Sequence, residues 1–480
     1  MRRTGGKLFA WGSAKFGSLP VPSDAVDNAS DCPFPAPVIF PGDGRGALFV
    51  KVAADLAYFA ALDVDGGLWG WARSGCAIGS TPQLLMHGVV DCSVGAQFII
   101  AATAAGDVYT IGKAPCTGAE SAEPRRVDGL PPTVTRVDAS SDTFLALTSD
   151  GEVWACGAPL TCGTGAKKFS SSPTLVSGLP KSAVHISVGS RHAAAVMHDG
   201  GLWLWGDGLS GTLATGARVV AALVPRECRY FLDRGFAVSH VTCTKGQPGI
   251  KRSGTTRKCS GGQEGPRTHV VTGDGALWIA GTTHKGLGAN HLNKVLSPEA
   301  DHLSFYRVGG AAADADLGFV VPTGAAEDLS RPSLRKDIAD DVLARRMGLS
   351  TVESFGANGL THYLEAAPLI CSQPAHIHSS ALSADGRLFM WGCGSNGRLG
   401  LRAFMRGPGG SKRAMKCYVS TPTAVEALEG MCVASVAMGK YFTLAIVTGP
   451  QRARLSIRTT DESDGAAREP EVDSGTALLP

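Results

Sequence analysis

The chain has 480 residues, 44% of them hydrophobic and 18% charged, with a formal net charge of +3. That balance predicts a soluble globular body with a sizeable core, and gives no general pull toward nucleic acid or membrane. There is no apolar run of membrane-helix length and no signal-peptide hydrophobic region. The 13 cysteines contain no C-x-x-C pair, which argues against a zinc site and for a reducing, intracellular compartment.

The first predicted strand is "LFAWG" (Leu8–Gly12), and its shape recurs along the chain. "LWGWA" ends at Ala72, "VYTIG" at Gly112, "VWACG" at Gly157, "LWLWG" at Gly206 and "LWIAG" at Gly281. A weaker copy, "VESFG", ends at Gly356, and "LFMWG" ends at Gly392. All 8 tryptophans fall inside these segments, which scattered core tryptophans would not do. Asp65-Gly66, Asp150-Gly151, Asp199-Gly200, Asp274-Gly275 and Asp385-Gly386 stand just before an aromatic strand. Asp-Gly between two apolar runs is a strong hairpin signal. Small-residue strands precede these turns ("FAAL", "FLALT", "HAAAVM", "THVVT", "HSSALS"). Further upstream come "VKVAAD", "HISVGS", "YRVGGA" and "ASVAMG". Each unit thus reads strand, strand, Asp-Gly turn, aromatic strand, glycine-rich turn, often followed by a proline-containing connection.

Between Ala72 and Gly206 the units recur every 40 to 49 residues. That period, with three or four strands per unit, is the signature of a β-propeller. The expected fold is all-β: a single propeller over residues 1–448, with seven blades, or eight if "VESFG" is a blade. "LFAWG" has no upstream partner, and the last unit, "VASVAMGKYFTLAIV", has no following aromatic strand. The two complete one blade and close the ring. Residues 449–480 form a polar, aperiodic tail expected to be disordered.

The stretch "LFMWGCGSNGRLG" contains G-x-G-x-x-G directly after a strand, the outline of a dinucleotide-binding loop. "GDGLSG" (Gly206–Gly211) repeats the outline in another unit. Neither copy is followed by a long helix or by a ribose-binding acid about 20 residues on, so both read as repeat turns. No G-x-S-x-G, H-E-x-x-H or P-loop is present, and the repeated aspartates are turn formers. No enzyme activity, cofactor or metal is expected. His376 and His378 share a strand face but lack a third ligand.

The repeat "VGSRHAAAVMHDGGLWLWGDGLSGTLATG", together with "PAHIHSSALSADGRLFMWGCGSNGRLG", resembles the unit of the regulator-of-chromosome-condensation repeat family. The resemblance runs from Leu8 to about Val447, eroding near residues 240 and 350. It implies a seven-bladed propeller, a structural role for His192, and, as the family's best-known activity, guanine-nucleotide exchange on a Ran-like small GTPase.

Three inserts depart from the repeat. Residues 245–267 carry Lys245, Lys251, Arg252, Arg257, Lys258 and Arg267 against Glu264 alone. The mid-loop four, Lys251, Arg252, Arg257 and Lys258, are the candidate partner contact. Residues 402–416 add a second basic run, and the two would form one positive patch if they share a face. Within 322–350, residues 331–348 read as a helix capped by Ser333 and ended by Gly348. The expected function is a non-enzymatic, monomeric protein-interaction scaffold in the cytoplasm or nucleus, without membrane association. Nucleotide exchange on a Ran-like GTPase is the alternative. The short basic start (Arg2, Arg3, Lys7) disfavours chromatin or nucleic-acid binding.

Overall fold

The structure, a computed structural model, describes residues 5–15, 19–27, 30–42, 46–217, 219–245, 250–253, 256–259, 266–282, 301–308, 369–375, 378–401 and 418–450. Among them are seven antiparallel sheets of four strands each. The closing sheet joins both ends of the chain. It holds β1 (Lys7–Ser13) and β2 (Asp31–Pro37) beside β29 (Met431–Met438) and β30 (Phe442–Pro450), in the order β2-β1-β30-β29. Blade 1 is β3 (Phe49–Ala54), β4 (Tyr58–Asp63), β5 (Leu68–Ala72) and β6 (Gln83–Met86). Blade 2 is β7 (Val89–Val94), β8 (Phe98–Thr103), β9 (Val108–Gly112) and β10 (Ser121–Arg126). Blade 3 is β11 (Val134–Ser140), β12 (Thr143–Thr148), β13 (Val153–Gly157) and β14 (Ser170–Leu175), with a one-turn helix α1 (Pro159–Cys162) before β14. Blade 4 is β15 (Ala183–Val188), β16 (His192–Met197), β17 (Leu202–Asp207) and β18 (Ala221–Cys228). Blade 5 is β19 (Val238–Cys243), β22 (Arg267–Thr272), β23 (Leu277–Thr282) and β24 (Asp301–Arg307). Its two inner strands are separated by a hairpin of β20 (Ile250–Ser253) and β21 (Thr256–Cys259). Blade 6 is β25 (Leu369–Pro374), β26 (His378–Ser383), β27 (Leu388–Cys393) and β28 (Tyr418–Ala424).

The ring closes through its ends, in a form fuller than expected. The start of the chain supplies two strands of the closing blade: Leu8 pairs with Ile446, and Ala10 with Ala36. The proline-containing connections prove to be strands. Pro33 and Pro35 lie in β2, Pro124 in β10, Pro173 in β14, Pro225 in β18 and Pro422 in β28, all outermost. Proline donates no ladder hydrogen bond, so only the free side of an edge strand accepts it, where it also blunts edge pairing. "YRVGGA" also reads differently: Tyr306 and Arg307 end the outer strand β24, with Arg307 opposite Trp278. The inner strand of blade 5 is Val238–Cys243, where the repeat had eroded. "VESFG", the 331–348 helix and the tail beyond residue 450 lie outside the described residues.

The aromatic strands are third in their blades and fill the space between sheets. Trp11, Trp71, Trp205 and Trp391 are fully buried. Trp71 stacks on Phe59, which meets Phe442 of the closing blade with ring centroids 4.7 Å apart. The Asp-Gly turns latch each blade to the next: the Gly66 carbonyl accepts from Val89 N at 2.9 Å, Gly200 from Val238 N at 3.0 Å and Gly386 from Val433 N at 2.9 Å. Six of the seven innermost strands break register one residue in, leaving Val50, Val90, Thr135, Val184, Ser239 and Ile370 as the extra, bulged residue, and β29 does so three residues in, at Ala434. Bulges of this kind re-aim the side chains that follow.

Candidate interaction face

Because strands alternate in direction, connections from the first to the second strand and from the third to the fourth leave one face of the ring. Asp-Gly turns and blade-to-blade crossovers occupy the other. The 245–267 insert joins the first two strands of blade 5, and Leu401 and Tyr418, which flank the 402–416 insert, join the last two of blade 6. The topology therefore roots both basic inserts on the same face, although residues 402–417 themselves lie outside the described residues.

The four candidate contact residues fall on the β20–β21 hairpin, where Lys251 stands opposite Lys258 and Arg252 opposite Arg257. Like charges directly opposite one another disfavour the ladder, and an isolated two-stranded hairpin is marginal in water. Two further basic residues of the insert belong to its root. Lys245 Nζ donates to Asp138 Oδ1 at 2.7 Å and to Ser93 Oγ at 3.0 Å. Arg267 is buried and donates through Nη2 to the Ala375 carbonyl of blade 6 at 3.0 Å. Thr244 N donates to the Arg267 carbonyl at 3.1 Å, and Arg267 N to Thr244 Oγ1 at 2.8 Å, pinching the insert into a neck. The run of six basic residues thus divides into two anchors and four hairpin positions.

Beneath the neck lies a polar cluster around the propeller axis that sequence reasoning missed. Innermost strands have no ladder partner on their axial side, and side chains of one blade supply acceptors to the next. Asp91 pairs with Lys51 and accepts from Val137 N at 2.9 Å. Asp138 accepts from Val188 N at 2.8 Å, and Ser187 Oγ from Cys243 N at 3.0 Å. His185 Nε2 bonds the Val241 carbonyl at 2.9 Å, and its ring lies 4.3 Å from that of His240. Burial raises the Asp138 carboxyl, but the Lys245 ammonium and the bonds it accepts outweigh that and hold it below its usual range. Burial dominates at Asp55, pushing it up to about 6 despite Lys245. The available signal was the recurrence of Lys51, Asp91, Arg136, His185 and His240 two residues into otherwise apolar inner strands.

The two G-x-G-x-x-G turns are inter-blade joints. A Cβ at Gly206 (φ +112°) would lie 2.5 Å from His192 Cα of its own blade, the turn's link to blade 5 running through Thr212, and one at Gly397 would lie 2.4 Å from Pro33 Cα of the closing blade. After Gly397 the buried Arg398 donates to the Lys440 carbonyl at 2.7 Å and to Asn396 Oδ1 at 2.9 Å. Asp207, also buried, forms an ion pair with Arg191. The resemblance's structural role for His192 takes a definite form. Thr268 of blade 5 donates to the Thr212 carbonyl at 2.7 Å, so its hydroxyl accepts from His192 Nε2 at 2.8 Å. His378 repeats the arrangement with Thr443 and the Arg398 carbonyl. His376 lies outside the described residues. Among the described residues no group of three or more His, Cys, Asp or Glu side chains is placed to hold a metal, and the cysteines whose side chains are described, from Cys32 to Cys432, are free thiols. No helix among them is long and apolar enough to cross a membrane.

Comparison with known proteins agrees with this geometry. The Regulator of chromosome condensation (RCC1) repeat model matches residues 150–196 and 385–446, and a second model of the same repeat matches residues 134–163. No curated protein sequence matches the chain. Among solved structures, human WBSCR16 is similar with a TM-score of 0.63 at 18% identity, covering 92% of this chain and 98% of that one. Prp20p from Saccharomyces cerevisiae, described with its binding properties to Gsp1p and histones, is similar with a TM-score of 0.65 at 16% identity, covering 94% and 92%. Yeast RCC1 (Prp20) in a crystal structure with Kap60 bound gives a TM-score of 0.64 at 15% identity, covering 94% and 90%. At these identities the neighbours speak for the fold, and the two models for the repeats they match: the chain is a seven-bladed β-propeller that carries regulator-of-chromosome-condensation repeats at residues 134–196 and 385–446.

Proposed function

We propose that the protein is a non-enzymatic scaffold, acting in the cytoplasm or nucleus, that binds an acidic protein surface on the face carrying the two basic inserts. The supporting observation is the β20–β21 hairpin, which sets four cations in two directly opposed pairs on an anchored neck. Such a ladder gains most from a partner that brings negative charge. Function in propellers sits in loops held by a rigid ring, which suits this placement. The test is affinity purification of the full chain against a variant with Lys251, Arg252, Arg257 and Lys258 all changed to Gln. The main partner should be lost or weakened in the variant, most visibly at low salt, where surface charge is least screened. Unchanged capture by a folded variant would place the partner surface elsewhere.

A second reading is guanine-nucleotide exchange on a Ran-like small GTPase, favoured by the likeness to Prp20p, whose structure is described with its binding to Gsp1p. An exchange factor works by preferring the nucleotide-free state of its partner. Catalytic amounts of the protein would then speed release of a fluorescent guanine nucleotide. On the scaffold reading the release rate stays at its spontaneous value.

A further inference from the structure

The face opposite the basic inserts carries a different surface around the axis. There the register break near the start of each innermost strand leaves one bulged residue per blade, and these seven residues form the rim around the axis. Ile370 and Val184 on this rim are 49% and 41% exposed, and Val50 and Val90 are partly exposed. The two hydroxyl residues of the rim turn back onto their own blades: Thr135 Oγ1 donates to the Leu147 carbonyl at 3.3 Å, and Ser239 Oγ to that of Val271 at 2.9 Å. What the rim offers a ligand is therefore mainly apolar.

One residue further along, four of the seven strands carry a basic side chain, Lys51, Arg136, His185 and His240, and the other three carry Asp91, Cys371 and Ser435. Lys51 is neutralised by Asp91, and the nearby Asp138 by Lys245. Arg136 is exposed, and among the described residues no hydrogen bond or ion pair engages its guanidinium. It lies close enough to act on the His185 and His240 rings, where burial is the main influence keeping both neutral. An exposed guanidinium without a carboxylate partner, next to an apolar rim, is complementary to one carboxylate carried on an apolar stem.

We infer that the axial mouth on the Asp-Gly face is a second binding site, for the apolar, carboxylate-bearing end of a partner polypeptide. A small inorganic anion would satisfy Arg136 but leave the rim uncovered. A purely apolar segment would bury the guanidinium without a counter-charge, which is costly. A chain terminus or acidic residue flanked by valine- or leucine-like side chains meets both requirements. This surface is separate from the insert face, so loss of binding here leaves the hairpin-dependent partner unaffected.

The experiment is selection of the full chain against displayed peptides with six randomised C-terminal residues and free carboxylates. The strongest binders are then remade as synthetic peptides for titration. The expected winners combine apolar residues with a carboxylate in the last one or two positions. Arg136→Gln should weaken them about tenfold or more, the equivalent of one charge-assisted hydrogen bond. Val184→Ser with Ile370→Ser should also weaken binding, and amidated, carboxylate-free peptides should fail. All three positions are exposed, so melting temperatures should hold and report an intact fold. No enrichment beyond that seen with Arg136→Gln protein, or winners whose amidated, carboxylate-free forms bind as tightly, would overturn the inference. So would inorganic phosphate binding through Arg136 with no peptide selected, since the occupant would then be a small anion.

Discussion

The indole N–H of Trp205 in blade 4 donates to the carbonyl of Thr161 in blade 3 at 2.7 Å. One side chain thus fills the gap between two sheets and satisfies a carbonyl of α1. Trp205 is fully buried, and a Cβ at Gly163 would meet its indole nitrogen at 2.8 Å. Trp205→Ala removes the packing and leaves a cavity, with an expected loss of about 3–5 kcal/mol. Trp205→Phe keeps much of the volume and loses the hydrogen bond, and should cost less. Chemical denaturation of both variants checks this. Equal, near-wild-type stabilities would mean that the ring does not seal the joint between the two blades.

Removal of residues 1–37 takes away both outer strands of the closing blade. The exposed edge would be β30, now paired with β1 from Lys7↔Val447 to Gly12↔Phe442. Unpaired strand edges invite intermolecular pairing. The truncated chain should aggregate or melt at a markedly lower temperature. A soluble monomer with unchanged melting would show that the closure is dispensable.

The ring was legible because its third strands repeat an aromatic pattern before a glycine, and its second strands repeat small residues before Asp-Gly. The same rule of thumb concealed the fourth strands. Proline in β10, β14 and β18 reads as loop, and only the position at a sheet edge makes it compatible with pairing. The inner strand Val238–Cys243 was hard to read because half of "VSHVTC" is polar, and Ser239 and His240 stand side by side where the register breaks, which hides the alternation. The anchoring role of Lys245 and Arg267 could not be read from charge alone. Their partners, Asp138 and the Ala375 carbonyl, are more than 100 residues away in the chain.

Buried histidines make stability depend on pH. Burial is the main influence lowering His192 from 6.5 to about 4, and it lowers His185, His240 and His269 as well. Between pH 6.5 and 4 the unfolded chain takes up protons that the folded chain refuses, so stability falls as pH falls through that window. His192 alone accounts for about 3 kcal/mol at most. Asp55 acts in the opposite sense: raised from 3.8 to about 6, it loses stability as pH rises between those values. Four histidines against one aspartate predict net acid lability, with melting temperature dropping from pH 7 to pH 5. His192→Gln, which keeps a donor for Thr268 but cannot titrate, should flatten that drop. Asp55→Asn should raise the melting temperature at pH 7.5 and not at pH 4. A flat profile in the unmodified protein would contradict the burial of these rings.

The pair Lys245–Asp138 ties the hairpin neck to the axial cluster, with side-chain exposures of 20% and 17%. Removing one partner strands the other charge where little water reaches it, at a cost of about 1–3 kcal/mol. Lys245→Met should therefore destabilise the fold, and so should Asp138→Leu, which also leaves Val188 N without its acceptor. The double variant carries no stranded charge and should be more stable than the sum of the two losses implies, a positive coupling in a double-mutant cycle. The same variants separate anchoring from stability. Lys245→Met frees the neck on one side, so binding that depends on Lys251 and Arg252 should weaken even at temperatures where the ring remains fully folded. Asp138→Leu alone should weaken it similarly, because the ammonium then lacks its main acceptor. If the losses are simply additive and partner binding is unchanged in every folded variant, the Lys245–Asp138 contact does not hold the hairpin in its working position.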